Sequence, residues 1–98
     1  MIGYTPSAVR QVEDLRQHYE DRGRIEAIRT LDAALDQAER KIERAPAAGL
    51  AAPRAYPHLA LPGRLWIKSG RYWIAYSTEG SPNIVSVFYE TADIPRRL

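Results

Sequence analysis

A change of period near residue 53 constrains this chain more than any other feature. Upstream of it the apolar residues recur at helical spacing; downstream they alternate. Ala8, Val12, Leu15 and Tyr19 follow one another at intervals of four, three and four, which places them on one face of a helix. Thr5-Pro6 supplies an N-cap followed by proline at the first helical position, and Gly23 supplies a left-handed stop. Arg10, Glu13, Asp14 and Gln17 fall largely off the stripe and read as solvated. A second stripe, Ile28, Leu31, Leu35, Ala38 and Ile42, predicts a helix from about Ile25 to Arg44. Pro46 ends it, and the Ala/Gly/Pro-rich residues 47–53 form a loop. The second stripe resembles a coiled-coil seam, but the break at Gly23 favours folding back on the first helix as an antiparallel hairpin.

Beyond Pro53 the pattern predicts strands. Leu65-Trp66-Ile67-Lys68 is followed by a tight turn at Ser69-Gly70, then by a strand from Tyr72 to Ser77. On that second strand Tyr72, Ile74 and Tyr76 share one face, and Trp73 and Ala75 the other. Glu79-Gly80-Ser81-Pro82-Asn83 is turn chemistry, and Ile84 to Tyr89 is a third strand rich in β-branched and aromatic residues. Short connections make these an antiparallel meander, and residues 1–4 are a candidate edge strand. The hairpin must bury its apolar face on one side of the sheet. The expected fold is therefore α+β: an N-terminal antiparallel helical hairpin packed on a small antiparallel β-sheet, as a single domain over residues 1–98.

Composition narrows the function classes. A chain of 98 residues suits one small core and argues against a deep multi-substrate site. The absence of cysteine removes disulfides, thiolate catalysis, Cys-based zinc sites and iron–sulfur clusters. No apolar run approaches the roughly 20 residues that span a bilayer, and the first residues lack a signal-peptide pattern, so a cytoplasmic location is expected. Residues 1–45 carry 8 basic and 9 acidic side chains, whereas residues 46–98 carry 6 and 3. Twelve of the 14 basic residues are Arg. That bias fits either bidentate recognition of carboxylate or phosphate, or simply a compositional preference.

No local motif for catalysis or metal binding is present. His18 and His58 are the only imidazoles and lack ligand spacing; His18 reads as a surface residue and His58 as a hydrogen-bonded structural one. There is no GxSxG and no glycine-rich phosphate loop. Asp32, Asp36 and Glu39 read as helix-surface charges partnered by Arg29, Arg40 and Lys41. No catalytic residue, metal ligand or cofactor site is expected. What remains is a basic and aromatic set in the second half: Arg54, Arg64, Lys68, Arg71, Trp66, Trp73, Tyr89, Arg96 and Arg97. Two readings stand open. The tryptophans lie on an open sheet face made for contact with protein or nucleic acid, or they pair across strands and cover the sheet.

The order of several segments resembles the ParE branch of the RelE/ParE toxin superfamily. The resemblance runs through Tyr4-Thr5-Pro6-Ser7-Ala8, Asp14-Leu15 with Tyr19, and Leu31-Asp32-Ala33-Ala34-Leu35. It continues with Pro46 and Gly49, Gly63-Arg64, Tyr72-Trp73-Ile74-Ala75-Tyr76, Val85-Ser86-Val87-Phe88-Tyr89 and Asp93-Ile94-Pro95-Arg96-Arg97-Leu98. It implies a helical hairpin on an antiparallel sheet and a cognate ParD-like antitoxin with a ribbon-helix-helix DNA-binding domain. Operator DNA would be met only through that antitoxin. RelE-like members cut messenger RNA on the ribosome, and ParE-like members are described as DNA gyrase inhibitors.

The residues fit the ParE branch. RNA cleavage needs a base, an acid and cations for the phosphate charge. Trp73 stands where RelE-like enzymes carry an Arg, and Glu90-Thr91-Ala92 stands where they carry basic or His residues. Many ParE proteins also have a basic run at that place, and this chain departs from them there. Candidate target-facing residues, chosen by chemistry and position, are Arg64, Arg71, Trp73, Tyr89, Arg96 and Arg97. The antitoxin is expected on the apolar margin of the hairpin and the exposed sheet, with Val12, Leu15, Leu31 and Leu35 belonging to the core. The alternatives are a ribosome-dependent ribonuclease using Arg71, Lys68 and Tyr89, and a degenerate toxin that only binds its antitoxin.

Overall fold

The first helix begins where Thr5 turns the chain. In the computed structural model, which describes residues 2–98, the Thr5 hydroxyl accepts from the Ala8 N–H at 3.1 Å and opens α1 (Pro6–Asp21). The helix stops at Gly23, whose φ of 65° lets the Arg24 N–H return to the Tyr19 carbonyl at 2.8 Å. α2 (Ile25–Arg44) then runs back along α1. Its stripe packs as the spacing predicts: Leu31, Ala34, Leu35, Ala38 and Ile42 are buried, with Ile28 half-buried against them. On α1, Ala8 and Tyr19 are buried, and Val12 and Leu15 pack partly buried against the same core. Arg16 pairs with Asp32 across the hairpin, while Glu39 accepts from the Tyr4 hydroxyl at 2.8 Å. Of the helix-surface pairings expected, Arg40 with Asp36 forms, at 2.8 Å.

Four strands form one sheet: β1 (Gly3–Tyr4), β2 (Arg64–Ser69), β3 (Tyr72–Ser77) and β4 (Asn83–Tyr89), in the spatial order β1-β4-β3-β2. β2, β3 and β4 make the antiparallel meander. The edge strand exists but is parallel to β4, with Gly3 opposite Asn83; Met1, included in the expected strand, lies outside the described residues. The sheet is therefore mixed. The two helices intervene between β1 and the meander, and a crossover of that kind delivers a parallel neighbour. A register shift between Ala75 and Tyr76 marks a bulge at Val85 on β4.

One face of the sheet carries Tyr72, Ile74, Tyr76, Ile84 and Val87 into the core beneath the helices. Of the two readings of the other face, the open one does not hold: the face is covered. Trp66, Trp73, Ala75 and Phe88 form a second cluster with Ile94, joined by Tyr56, Leu59, Val85 and Ala92. The cover is a long loop containing a 3₁₀ turn (Pro57–Leu59) and a final single turn, α3 (Ile94–Arg97). The loop is tied to the edge of β2 by reciprocal backbone bonds between Leu50 and Trp66, both 2.7 Å. Gly49 permits that approach, since a Cβ there would stand 2.6 Å from the Tyr76 hydroxyl and 2.9 Å from Leu65 Cβ.

Trp66 and Trp73 do not pair across strands. Trp66 lies opposite Ala75 and stacks on Phe88 at 6.3 Å, and Trp73 lies opposite Lys68. Among the described residues, no helix is long and apolar enough to cross a membrane.

Candidate functional site

The six candidate residues fall into four places. Arg64 opens β2 opposite Ser77, at the end of the sheet remote from Tyr72 and Tyr89. Five strand residues, roughly 17 Å, separate it from the Ser69 end. It belongs to no cluster with the others.

Arg71 and Tyr89 are brought together at the opposite end. Arg71 sits in the turn before β3, where strand alternation does not hold. Its Nη1 donates to the Tyr89 hydroxyl at 3.3 Å and lies 3.6 Å from Glu90 Oε1. Lys68 Nζ reaches the second oxygen of the same carboxylate at 3.1 Å. The Glu90 N–H donates to the Arg71 carbonyl at 2.8 Å, so the backbone holds the carboxylate between its cations. The hydrogen bond to Tyr89, with the charge of Glu90 behind it, raises the Arg71 pKa above its ordinary value and keeps the guanidinium charged. Lys68, Arg71 and Tyr89 thus converge, and Glu90 offsets part of their charge.

Trp73 is 7% exposed and cannot present its ring to a partner without rearrangement. Two cations cover it: the Arg54 guanidinium at 5.7 Å and the Lys68 ammonium at 5.5 Å from the ring centroid. The expectation of an exposed aromatic on an open face is corrected here. The loop and the C-terminal turn cover it, and neither has a period that sequence spacing reveals. Beneath them the indole N–H of Trp66 has no hydrogen-bond partner among the described residues.

Arg96 and Arg97 are exposed on α3. Arg96 Nε lies 3.4 Å from Asp93. Arg97 borders a cleft of about 660 Å³ between α1 and the outer edge of β4, which Tyr89, His18, Gln11 and Asp14 also line. Gln11 fills part of that edge by accepting the Val87 N–H at 2.7 Å. Tyr89 and His18 also border a second cavity of about 560 Å³, where Tyr19, Arg24 and Tyr72 join Arg71. His18 is exposed, as expected. His58 is exposed too, edge-on to Tyr56, rather than a hydrogen-bonded structural residue.

Tyr19, Arg24 and Tyr72 escaped sequence reasoning as site residues. Spacing places Tyr19 on the apolar stripe of α1 and Tyr72 on one face of its strand; both are buried, and their hydroxyls meet at 2.6 Å at the cavity. Among the described residues, no group of three or more His, Asp or Glu side chains is placed to hold a metal ion. No protein-family model matches the chain, and no curated protein does either.

Proposed function

We propose that this chain is a ParE-type toxin of the RelE/ParE superfamily that acts in the cytoplasm by binding. Its proposed target is DNA gyrase, and its proposed antidote is a ParD-like ribbon-helix-helix antitoxin that carries the complex to operator DNA. The hairpin packed on a small sheet agrees with what the sequence resemblance implies. One observation favours binding over RNA cleavage: the Glu90 carboxylate holds Lys68, a cation that a ribonuclease would need for phosphate, at 3.1 Å, and adds negative charge beside Arg71, which it touches only loosely at 3.6 Å. Trp73, at the strand position where RelE-like enzymes carry Arg, is buried. Arg96 and Arg97 on α3, with Arg71 and Tyr89 at the adjoining end of the sheet, are the accessible basic and aromatic groups proposed to meet the target.

Inducing the protein in cells, then following growth, plasmid supercoiling and transcript integrity, tests this reading. Growth arrest with relaxed plasmids and intact transcripts is expected. Cleaved transcripts with normal supercoiling would sink it, and normal growth with tight antitoxin binding would favour the degenerate-toxin alternative.

The ribonuclease alternative has its own observation in the convergence of Lys68, Arg71 and Tyr89 on one site. Glu90→Gln separates the two readings. It frees both cations, so under the binding reading the variant leaves transcripts uncut, whereas under the ribonuclease reading it raises cutting about tenfold or more.

A further inference from the structure

We infer that the cavity between the tip of the helical hairpin and the end of the sheet binds a phosphomonoester that also bears a planar ring, as a nucleoside monophosphate does. Its volume of about 560 Å³ lies in the range of small-ligand sites. Arg24, at the start of α2, and Arg71, in the turn before β3, both border it. Arg24 is exposed and has no carboxylate partner among the described residues; its guanidinium lies over the Tyr19 ring at 5.7 Å. The Arg71 side chain is 68% exposed, and its contact with Glu90 is a long 3.6 Å, so a stronger anion competes for it. Glu26, also in the lining, is held by Arg29 at 3.0 Å.

A third donor comes from the buried phenols. The Tyr19 and Tyr72 hydroxyls are 2.6 Å apart, and the residues are 6% and 2% exposed. A bond between two hydroxyls uses one proton and leaves the other to donate elsewhere. Neither phenol has a further partner among the described residues. α2 also begins without a side-chain cap, so its helix dipole adds positive potential at this rim.

Two guanidiniums and one O–H from separate elements suit a tetrahedral dianion better than a planar carboxylate. The walls define the rest of the ligand. Tyr72 and Tyr89 meet edge to face at 5.5 Å, and Leu15 and Ala27 complete an apolar side fitted to a flat ring.

The test is an NMR titration of the intact protein with inorganic phosphate, AMP, cyclic AMP and adenosine at low salt. Phosphate and AMP should saturate shifts at Tyr19, Arg24, Arg71 and Tyr72. Cyclic AMP, whose phosphate is a diester, and adenosine should bind about tenfold more weakly than AMP or worse. Arg24→Gln with Arg71→Gln, both at exposed positions, should abolish saturation. Tyr19→Phe with Tyr72→Phe should weaken AMP binding about tenfold, with folding checked by thermal melting. The inference is overturned by unsaturable shifts, by equal affinity for AMP and cyclic AMP, or by undiminished binding in the double Arg variant.

Discussion

The two faces of the sheet are buried by different means. The inner face lies under two periodic helices, and its cluster includes Leu31, Ala38, Ile42, Ile74 and Ile84, all 0% exposed. The outer face lies under an irregular loop and one helical turn, which contributes the fully buried Ile94. The inner cover is hydrogen-bonded within itself and can form before it docks. The outer cover is ordered only by what it touches, so it should open at lower cost and carry the adaptable contacts.

The largest effect belongs to the inner face. Leu31→Ala removes a fully buried side chain from the helix–sheet seam and should lower unfolding free energy by about 3 kcal/mol, measured by urea denaturation. Loss of helical signal and of tertiary structure should coincide. Ile94→Ala should cost less, about 2 kcal/mol, because a terminal turn can relax into the space. Its signature should be local: a red shift of Trp66 and Trp73 fluorescence before the helical signal falls. Simultaneous loss of both signals would show that the two faces form one cooperative unit.

The smallest effect is alkaline. Burial, then a hydrogen bond to Tyr19, raises the Tyr72 pKa above its ordinary 10.0, and burial, then Glu39, does the same for Tyr4. Such phenols contribute stability that is fully present below the unfolded value, near 10, and is lost as pH rises toward the folded values. The urea midpoint should therefore hold between about pH 7 and 9 and fall above about pH 10. Tyr72→Phe should flatten that fall, and an unchanged slope would remove the inner-face phenols from the explanation.

This contrast also sets what the sequence made legible. Both helices and all three meander strands follow from spacing, because each has a period that a regular element must share. The parallel pairing of β1 does not follow, since two residues carry no period. The cover of the outer face does not either: Tyr56, Leu59, Ala92 and Ile94 are scattered through aperiodic chain, so spacing leaves both readings of Trp73 standing.

At the candidate site Glu90 is visible in the sequence, but its contacts with Lys68 and Arg71 are not. Arg71 escapes strand alternation by standing in a turn. The meeting of Tyr19 with Tyr72 joins residues 53 positions apart, which only the folded hairpin brings together.

The most direct test of the functional proposal is a supercoiling assay with purified gyrase and purified protein, with Arg96→Ala/Arg97→Ala as the companion variant. Dose-dependent loss of supercoiling is expected, weakened in the variant and reversed by the cognate antitoxin. Full supercoiling at a large excess of the protein would contradict the proposal.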